Sequence, residues 1–535
     1  MSTTEPGQSA TEPAAPAPAT LTQSQVRLAI GGVMVGMLLS ALDQTVVGTA
    51  LPRIVSDLGG LDKLPWVVTA YLLTSMAVTP LWGKLSDLYG RRPAFQAAVV
   101  IFLLGSVLCG VAQSLGQLVV FRALQGVGGG GLFVLALSVI GDVVPPQERG
   151  RYQGLFGAVF GLASVGGPLA GGWFTDGPGW RWVFYVNVPV GLAALVVTSL
   201  GLRLPIARRS HRIDYAGAGL VVAAVTSLLL YLNWAGTQYG WGAPGPLALV
   251  AGFVLLTVAF VLVEQRAAEP VLPMSLFRNG VFSIGALFGF ATGAAMFGGI
   301  VFLPVYLQVV QGMSPTRSGL AMLPAMFGLI ATSMYSGQMI SKTGKYKIFP
   351  ICGAVALVVA MPLLSSVGVD TPYGLVALYS ALFGAGVGLT MQTIVTAVQN
   401  SVPLKDMGAA TSAANFAQRL GAAVGTAVLG AVLASRLATH LAEQVPADAM
   451  PAAGSGARLG ANVEAVHALA EPLRHQVLTA FSDALSDVFL TCVPMVLVAL
   501  VISFFLREST PRPQPAAPAA DQAGAAGQAG AAGRG

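Results

Sequence analysis

Chemistry near neutral pH runs mostly through groups that gain or lose a proton, and this 535-residue sequence is poor in them: 9% of its residues are charged and four are histidines. The histidines, His211, His440, His467 and His475, all fall in the polar stretches between apolar runs. Nearly every carboxylate sits at the end of such a run or in a tail. Asp43 is the exception, about sixteen residues into the run 27–51. An acid enclosed by apolar helix must be paired or line a wet cavity, because its charge otherwise costs several kcal/mol, and this makes it a functional candidate by default. Two arginines are similarly enclosed, Arg122 and Arg419. Either could hold Asp43 ionised, and separating the pair would favour proton uptake. Arginine suits the part because its guanidinium stays charged where a buried lysine would lose its proton. Asp43, Arg122 and Arg419 are thus the candidate proton-coupling set. The competing reading is a fixed ion pair that never titrates, with arginines held by carbonyls or reaching for the surface.

A second set lies in the turn Gly83-Lys84-Leu85-Ser86-Asp87-Leu88-Tyr89-Gly90-Arg91-Arg92. Asp87 could accept hydrogen bonds from the free amides that open another helix, for instance at Asp406 to Ala409. Arg91 could pair with Asp142, so Gly83, Asp87, Gly90, Arg91, Arg92 and Asp142 form a candidate gate; simple solvation at a membrane surface is the alternative. The turn Gly337 to Lys347 repeats the plan, with two glycines seven apart followed by basic residues. A third set is glycine: in Gly166 to Gly172, and in Gly126 with Gly128 to Gly131, missing side chains let helices approach closely, and Pro168 permits a bend. Static packing explains such glycines equally well.

The elements that must carry these groups are membrane helices. Hydrophobic residues make up 55% of the chain, and a hydrocarbon core of about 30 Å needs about 20 helical residues. Apolar segments fall near 27–51, 66–84, 93–113, 117–142, 152–174, 180–202, 214–234, 246–264, 281–309, 316–340, 348–367, 374–399, 407–434 and 484–506, which predicts fourteen spans. With the N-terminus inside, Arg27, Lys84, Arg91, Arg92, Arg149, Arg151, Arg208, Arg209, Lys342, Lys345, Lys347 and Arg507 collect on one side. The positive-inside rule then places both termini in the cytoplasm. The same rule explains the net charge of +6 without nucleic acid. Residues 1–24 and 509–535 read as disordered cytoplasmic tails, having little to bury. The segment 435–483 reads as a long outer loop, either an amphipathic surface helix or a connector. Cys109, Cys352 and Cys492 are far apart, so neither a disulfide framework nor a metal site is expected. No nucleophile–base pair, metal cluster or phosphate loop stands in a suitable context, so neither an enzyme nor a cofactor is expected.

Taken together the motifs resemble the major facilitator superfamily, and specifically its fourteen-span drug:proton antiporter branch. Gly83 to Arg92 looks like the signature turn between spans two and three, with Leu88 where many members carry arginine. Arg122-Ala123-Leu124-Gln125-Gly126 looks like the fourth-span proton-linked motif. Gly167-Pro168-Leu169-Ala170-Gly171-Gly172 looks like the fifth-span antiporter motif, with Ala163 in place of an expected glycine. Leu42 to Pro52 and Trp180 to Gly191 resemble marks of the branch itself, with Gly48 replacing a common asparagine. The resemblance covers about residues 25–508.

It implies an all-α integral membrane protein of the major facilitator fold: an N-terminal six-helix bundle over 25–203, two inserted spans and a linker over 204–278, and a C-terminal six-helix bundle over 279–508. It also implies alternating access driven by protons, a coupling role for Asp43 with Arg419, a latch of Asp87, Arg91 and Asp142, and antiporter-motif roles for Gly167, Pro168, Gly171 and Gly172. The expected partners are a small-molecule substrate, protons and the lipid bilayer of the plasma membrane, around a monomer. A central cavity between spans 1, 4, 9 and 12 would draw on Gln44, Met296, Phe297, Tyr306, Gln308, Met391 and Gln392, since methionine and aromatic side chains adapt to varied ligands. The expected activity is export of lipophilic or amphiphilic compounds. The alternatives are a dedicated exporter of one metabolite, siderophore or lipid, and a non-transporting scaffold or receptor.

Overall fold

All fourteen apolar segments fall on helices in the computed structural model, which describes residues 23–508 apart from 59–63, 146–147, 203–213, 235–239, 241, 268–269, 404–405 and 446–468. In chain order the helices are α1 (Gln23–Leu58), α2 (Leu64–Tyr89), α3 (Arg91–Gly110), α4 (Leu115–Val143), α5 (Arg149–Asp176), the single turn α6 (Trp182–Tyr185), α7 (Asn187–Gly201), α8 (Tyr215–Trp234) and α9 (Pro244–Glu264). After them come α10 (Gly280–Val305), α11 (Pro315–Ala321), α12 (Leu323–Thr343), α13 (Ile348–Ser365), α14 (Tyr373–Ser401), α15 (Met407–Gln444) and α16 (Leu473–Phe504). No strand occurs among the described residues.

Among the described residues, eleven helical stretches are long and apolar enough to cross a membrane. The three other long helices, α2, α5 and α12, are more polar, carrying Lys84 and Asp87, Arg149 and Arg151, and Gln338 and Lys342. Length alone would let each span, since 21 residues rise about 31 Å. Their polarity has a positional cause. α5 packs on α12, with Gly157 against Ser333 and Gly161 against Ile330, and α2 packs on α15, with Gly83 against Ser412. These helices form the seams between two sets of helices and face one another as much as lipid.

Each set has its own core. Residues from Ala29 to Leu202, among them Phe95, Phe102 and Phe156, fill one, and residues from Ala295 to Val496, among them Leu357, Phe481 and Phe489, fill the other. The pair α8–α9 packs on the α2–α15 seam, where Val221, Val225, Leu229 and Phe260 meet Met76 and Ala77, with Phe416 and Leu420 alongside.

Local sequence explains the breaks. Ser114 caps α4 by accepting from the Gln117 N–H at 3.3 Å, and Asn279 caps α10 by accepting from Val281 and Phe282. Gly90 and Gly344 end α2 and α12 with φ of 95° and 69°, a conformation only glycine adopts cheaply. The break between α6 and α7 precedes Pro189, which has no N–H for a helical bond to Tyr185.

The structure corrects two readings. The segment 435–483 is not all loop: α15 runs on to Gln444 and α16 begins at Leu473, tied together by a His440–Asp487 contact of 3.0 Å and a Gln444–Asp483 bond of 2.7 Å. The remainder, 446–468, lies outside the described residues, as do the tails 1–22 and 509–535. Met296 and Tyr306, expected on a cavity wall, pack among apolar neighbours in this structure. Both are buried in the second core, and the Tyr306 hydroxyl donates to the Gly368 carbonyl at 2.8 Å.

Candidate functional site

Asp43 lies inside the first helix set, 1% exposed, on the side of α1 that faces α3, α4 and α7. Its Oδ2 accepts from Nη1 of Arg122 at 2.6 Å. Its Oδ1 accepts from Nε2 of Gln125 and Nδ2 of Asn187, each at 2.9 Å. Arg122 also donates to Oε1 of Gln125 at 2.7 Å and, through Nε, to the Val67 carbonyl at 3.3 Å. Gln125 and Asn187 both donate to the Ser106 hydroxyl, which in turn donates to the Phe184 carbonyl. The guanidinium lies 4.2 Å from the centre of the Tyr71 ring, whose hydroxyl meets Ser40 Oγ at 3.1 Å. The carboxylate is therefore both charge-paired and hydrogen-bonded at each oxygen, which makes its burial tolerable.

The backbone dictates these positions. Arg122 and Gln125 are three apart on α4 and share a face. Gly105 lets α3 approach there, since a Cβ at 105 would stand 2.5 Å from the Gln125 Cα. Asn187 opens α7 just after the break, where its amide turns inward rather than along a helix surface. Neither Gln125 nor Asn187 was singled out from the sequence, although both stand in motifs quoted there. A neutral amide in an apolar run signals less strongly than a charge.

Arg419 is not the partner of Asp43 in this structure. Its guanidinium sits over the ring of Phe133, 5.0 Å from the centroid, across the seam between α15 and α4. Depth along the chain put both arginines near Asp43; the facing of α15 separates Arg419 from it.

At the end of the seam that carries Asp87, Oδ1 accepts from the Gly408 N–H at 3.1 Å and Oδ2 from the Ala409 N–H at 2.9 Å, the free amides that open α15. Arg91 pairs with Asp87 at 2.6 Å and with Asp142 at 2.5 Å. Gly83 has no room for a side chain, because a Cβ would strike Ser412 and the Gly408 carbonyl. Arg92 makes no ion pair among the described residues. Contacts missed in the sequence reinforce this end: Arg149 donates to the Gln399 carbonyl at 3.3 Å and to Asn400 at 3.0 Å, and Gln399 donates to the Leu137 carbonyl at 3.0 Å.

The glycine run of α5 touches α1 close to Asp43. A Cβ at Gly167 would collide with Thr45 Oγ1, and Thr45 donates to the Ala163 carbonyl at 2.9 Å. The Gly171 carbonyl accepts from Thr175 at 2.6 Å, Gly172 faces open space, and the side chain of Pro168 lies outside the described residues. Of the cavity candidates, Gln44 is exposed and donates to the Ser40 carbonyl, Phe297 is half-buried against the second core, and Gln308 donates to Ser318. Met391 and Gln418 line a cavity of about 10 Å³, room for a water but not for an organic molecule. The Gln392 side chain lies outside the described residues.

Comparison with known proteins places this arrangement. Residues 33–215 and 215–426 each match the family model described as Major Facilitator Superfamily. The chain is 41% identical to the multidrug transporter protein MdtP of Bacillus subtilis, over 75% of this chain and 74% of that protein. It is 34% identical to multidrug resistance protein 3 of the same organism, over 91% and 96%. Among solved structures the proton:xylose symporter XylE is similar in fold, with a TM-score of 0.58 and 16% identity over 91% of this chain and 96% of that one.

Proposed function

This chain belongs to the Major Facilitator Superfamily and is a membrane transporter rather than an enzyme, and on that premise we propose that it exports lipophilic or amphiphilic small molecules against an inward flow of protons. The observation that carries the reading is the buried Asp43–Arg122 pair, the one acid of the described helices held deep inside a bundle by a cation and two amides. The name multidrug resistance protein 3, carried by one of the similar Bacillus proteins, supports export as the direction of transport.

In this mechanism the chain crosses the plasma membrane fourteen times, α2, α5 and α12 adding three spans to the eleven more apolar stretches. The end bearing Asp87 faces the cytoplasm, as do both termini, because the basic turns gather there. The contacts of Asp87, Arg91, Asp142 and Arg149 close the cytoplasmic gate, and the protein acts as a monomer. A proton reaching Asp43 cancels its charge and frees Arg122. The pair no longer holds α1 against α4, and the two helix sets rock to open the gate toward cargo. Cargo binding and loss of the proton to the cytoplasm reset the pair. The tight contact of Gly167 with Thr45, two residues from Asp43, carries the change to α5.

Everted vesicles test this directly. With an imposed pH gradient, candidate cargo should dissipate the gradient through the wild-type chain. Asp43→Asn should abolish uphill transport while leaving expression and insertion intact. Uphill transport that survives in this variant removes Asp43 from the mechanism.

A further inference from the structure

Arg419 is an enclosed cation with no carboxylate beside it among the described residues. It stands twelve residues into α15, about 18 Å along the axis, and is partly buried. Its guanidinium carbon lies over the Phe133 ring of the opposite helix set, 5.0 Å from the centroid, with Tyr71 within electrostatic range. Among the described residues it has neither a carboxylate partner nor a hydrogen-bond acceptor. The acid at comparable depth, Asp43, is fully committed: one oxygen is taken by Arg122 and the other by Gln125 and Asn187. A cation–π contact with an aromatic face uses the charge of a guanidinium and leaves its N–H edges available. Those edges form a planar fork that matches a carboxylate, sulfonate or phosphate in a bidentate manner.

The position is equally telling. Phe133 lies on α4, Tyr71 on α2 and Arg419 on α15, so the group spans the seam that must open and close between the helix sets. A ligand bound there contacts both sets at once. We propose that Arg419 is the recognition point for an oxyanion on the transported molecule, so that the preferred cargo is an amphiphile whose apolar body carries a carboxylate, sulfonate or phosphate. The inference rests on the transport function proposed above and names the class of molecule it serves. Arginine, rather than a neutral donor, is the economical choice, because the positive charge offsets the loss of hydration that an anion suffers on leaving water. An anionic headgroup of a lipid offers the same chemistry as a soluble anionic compound, and the experiment separates the two.

The full-length protein is reconstituted in proteoliposomes with an imposed pH gradient, and three probes with one pyrene body are compared: pyrenebutyrate, pyrenebutanol and a pyrenebutyl trimethylammonium salt. Leak through protein-free vesicles is subtracted. The wild type should transport pyrenebutyrate with a kcat/KM at least tenfold above pyrenebutanol. Arg419→Gln should bring that ratio close to one, chiefly through KM, and Arg419→Lys should keep it within about threefold of wild type. A wild-type ratio near one overturns the proposal without any variant. A ratio unchanged in Arg419→Gln while all three rates fall together also overturns it, and returns Arg419 to coupling. A parallel arm follows labelled phosphatidylglycerol against phosphatidylcholine; an Arg419-dependent preference there assigns the oxyanion to a lipid headgroup, and its absence assigns it to soluble cargo. Wild-type vesicles that couple none of the probes to the gradient count against export itself. Coupled transport without charge preference sinks the anion site alone.

Discussion

The two turns that repeat along the chain, Gly83 to Arg92 and Gly337 to Lys347, share a backbone plan and differ in strength. In each, a second glycine with positive φ ends the helix, Gly90 at 95° and Gly344 at 69°. In each, the residue four after the first glycine reaches the opening turn of a helix in the other set. In the first turn that residue is Asp87, which takes two amides of α15 and is itself paired with Arg91, the cation that Asp142 holds from its other side. In the second it is Ser341, whose hydroxyl accepts one amide, that of Arg151 on α5, at 3.2 Å. Charge-assisted bonds are about twice as strong as neutral ones, and a carboxylate at a helix N-terminus also gains from the aligned peptide dipoles. The molecule thus ties the α2–α15 seam with an ionic clasp and the α5–α12 seam with a hydroxyl and side-chain packing, Gly157 on Ser333 and Gly161 on Ile330, while Arg149 of α5 adds its bonds to Gln399 and Asn400 of the neighbouring α14. The repeat supplies the geometry, and a single residue sets how firmly each seam is held.

The largest break in this comparison should come from Asp87→Ala. Truncating one partner of a buried charge pair costs about 2–5 kcal/mol, and here it leaves Arg91 with Asp142 as its one carboxylate partner among the described residues. With Ser412→Cys introduced in a background where the exposed Cys352 is replaced by serine and the buried Cys109 and Cys492 are kept, the new thiol should then react with an aqueous thiol reagent at least tenfold faster. An unchanged rate would mean that the clasp does not hold the seam. Gly90→Ala comes next, because a side chain at φ 95° carries about 1–2 kcal/mol of strain; thermal unfolding in detergent should fall by a few degrees. Ser341→Ala should do least, losing one neutral hydrogen bond of about 1 kcal/mol, and its cargo turnover should stay within about twofold of wild type. Ser341→Asp sharpens the contrast from the other side: building a second clasp should slow turnover severalfold without changing KM. Equal effects of Asp87→Ala and Ser341→Ala would erase the distinction.

How much of this could be read from the residues follows from what each one violates. Asp43 stood out because a charge in an apolar run breaks hydropathy, and the contact of Asp87 with the amides of α15 followed from counting unsatisfied donors. Gln125 and Asn187 broke no rule strongly enough to be noticed. Arg419 shows the complementary limit: position along a chain gives depth in a bundle, whereas the direction a helix face takes depends on packing that only the assembled fold supplies. Met296 and Tyr306 misled for the same reason, their composition suiting a cavity while their facing put them in the core. The polar seam helices were legible as helices by their apolar content, although their composition sets them apart from the eleven more apolar stretches.

The circuit around Asp43 is wired in one direction. Arg122, Gln125 and Asn187 all present N–H groups to it, so the site is made for a group that only accepts. An arriving proton would turn one oxygen into a donor and set hydrogen against hydrogen. Relief requires an amide to rotate and offer its oxygen instead, and both amides are tethered through Ser106 to the Phe184 carbonyl beside the α6–α7 break. Under the proposed mechanism, the arrival of a single proton would thereby become a change of shape at the edge of a helix.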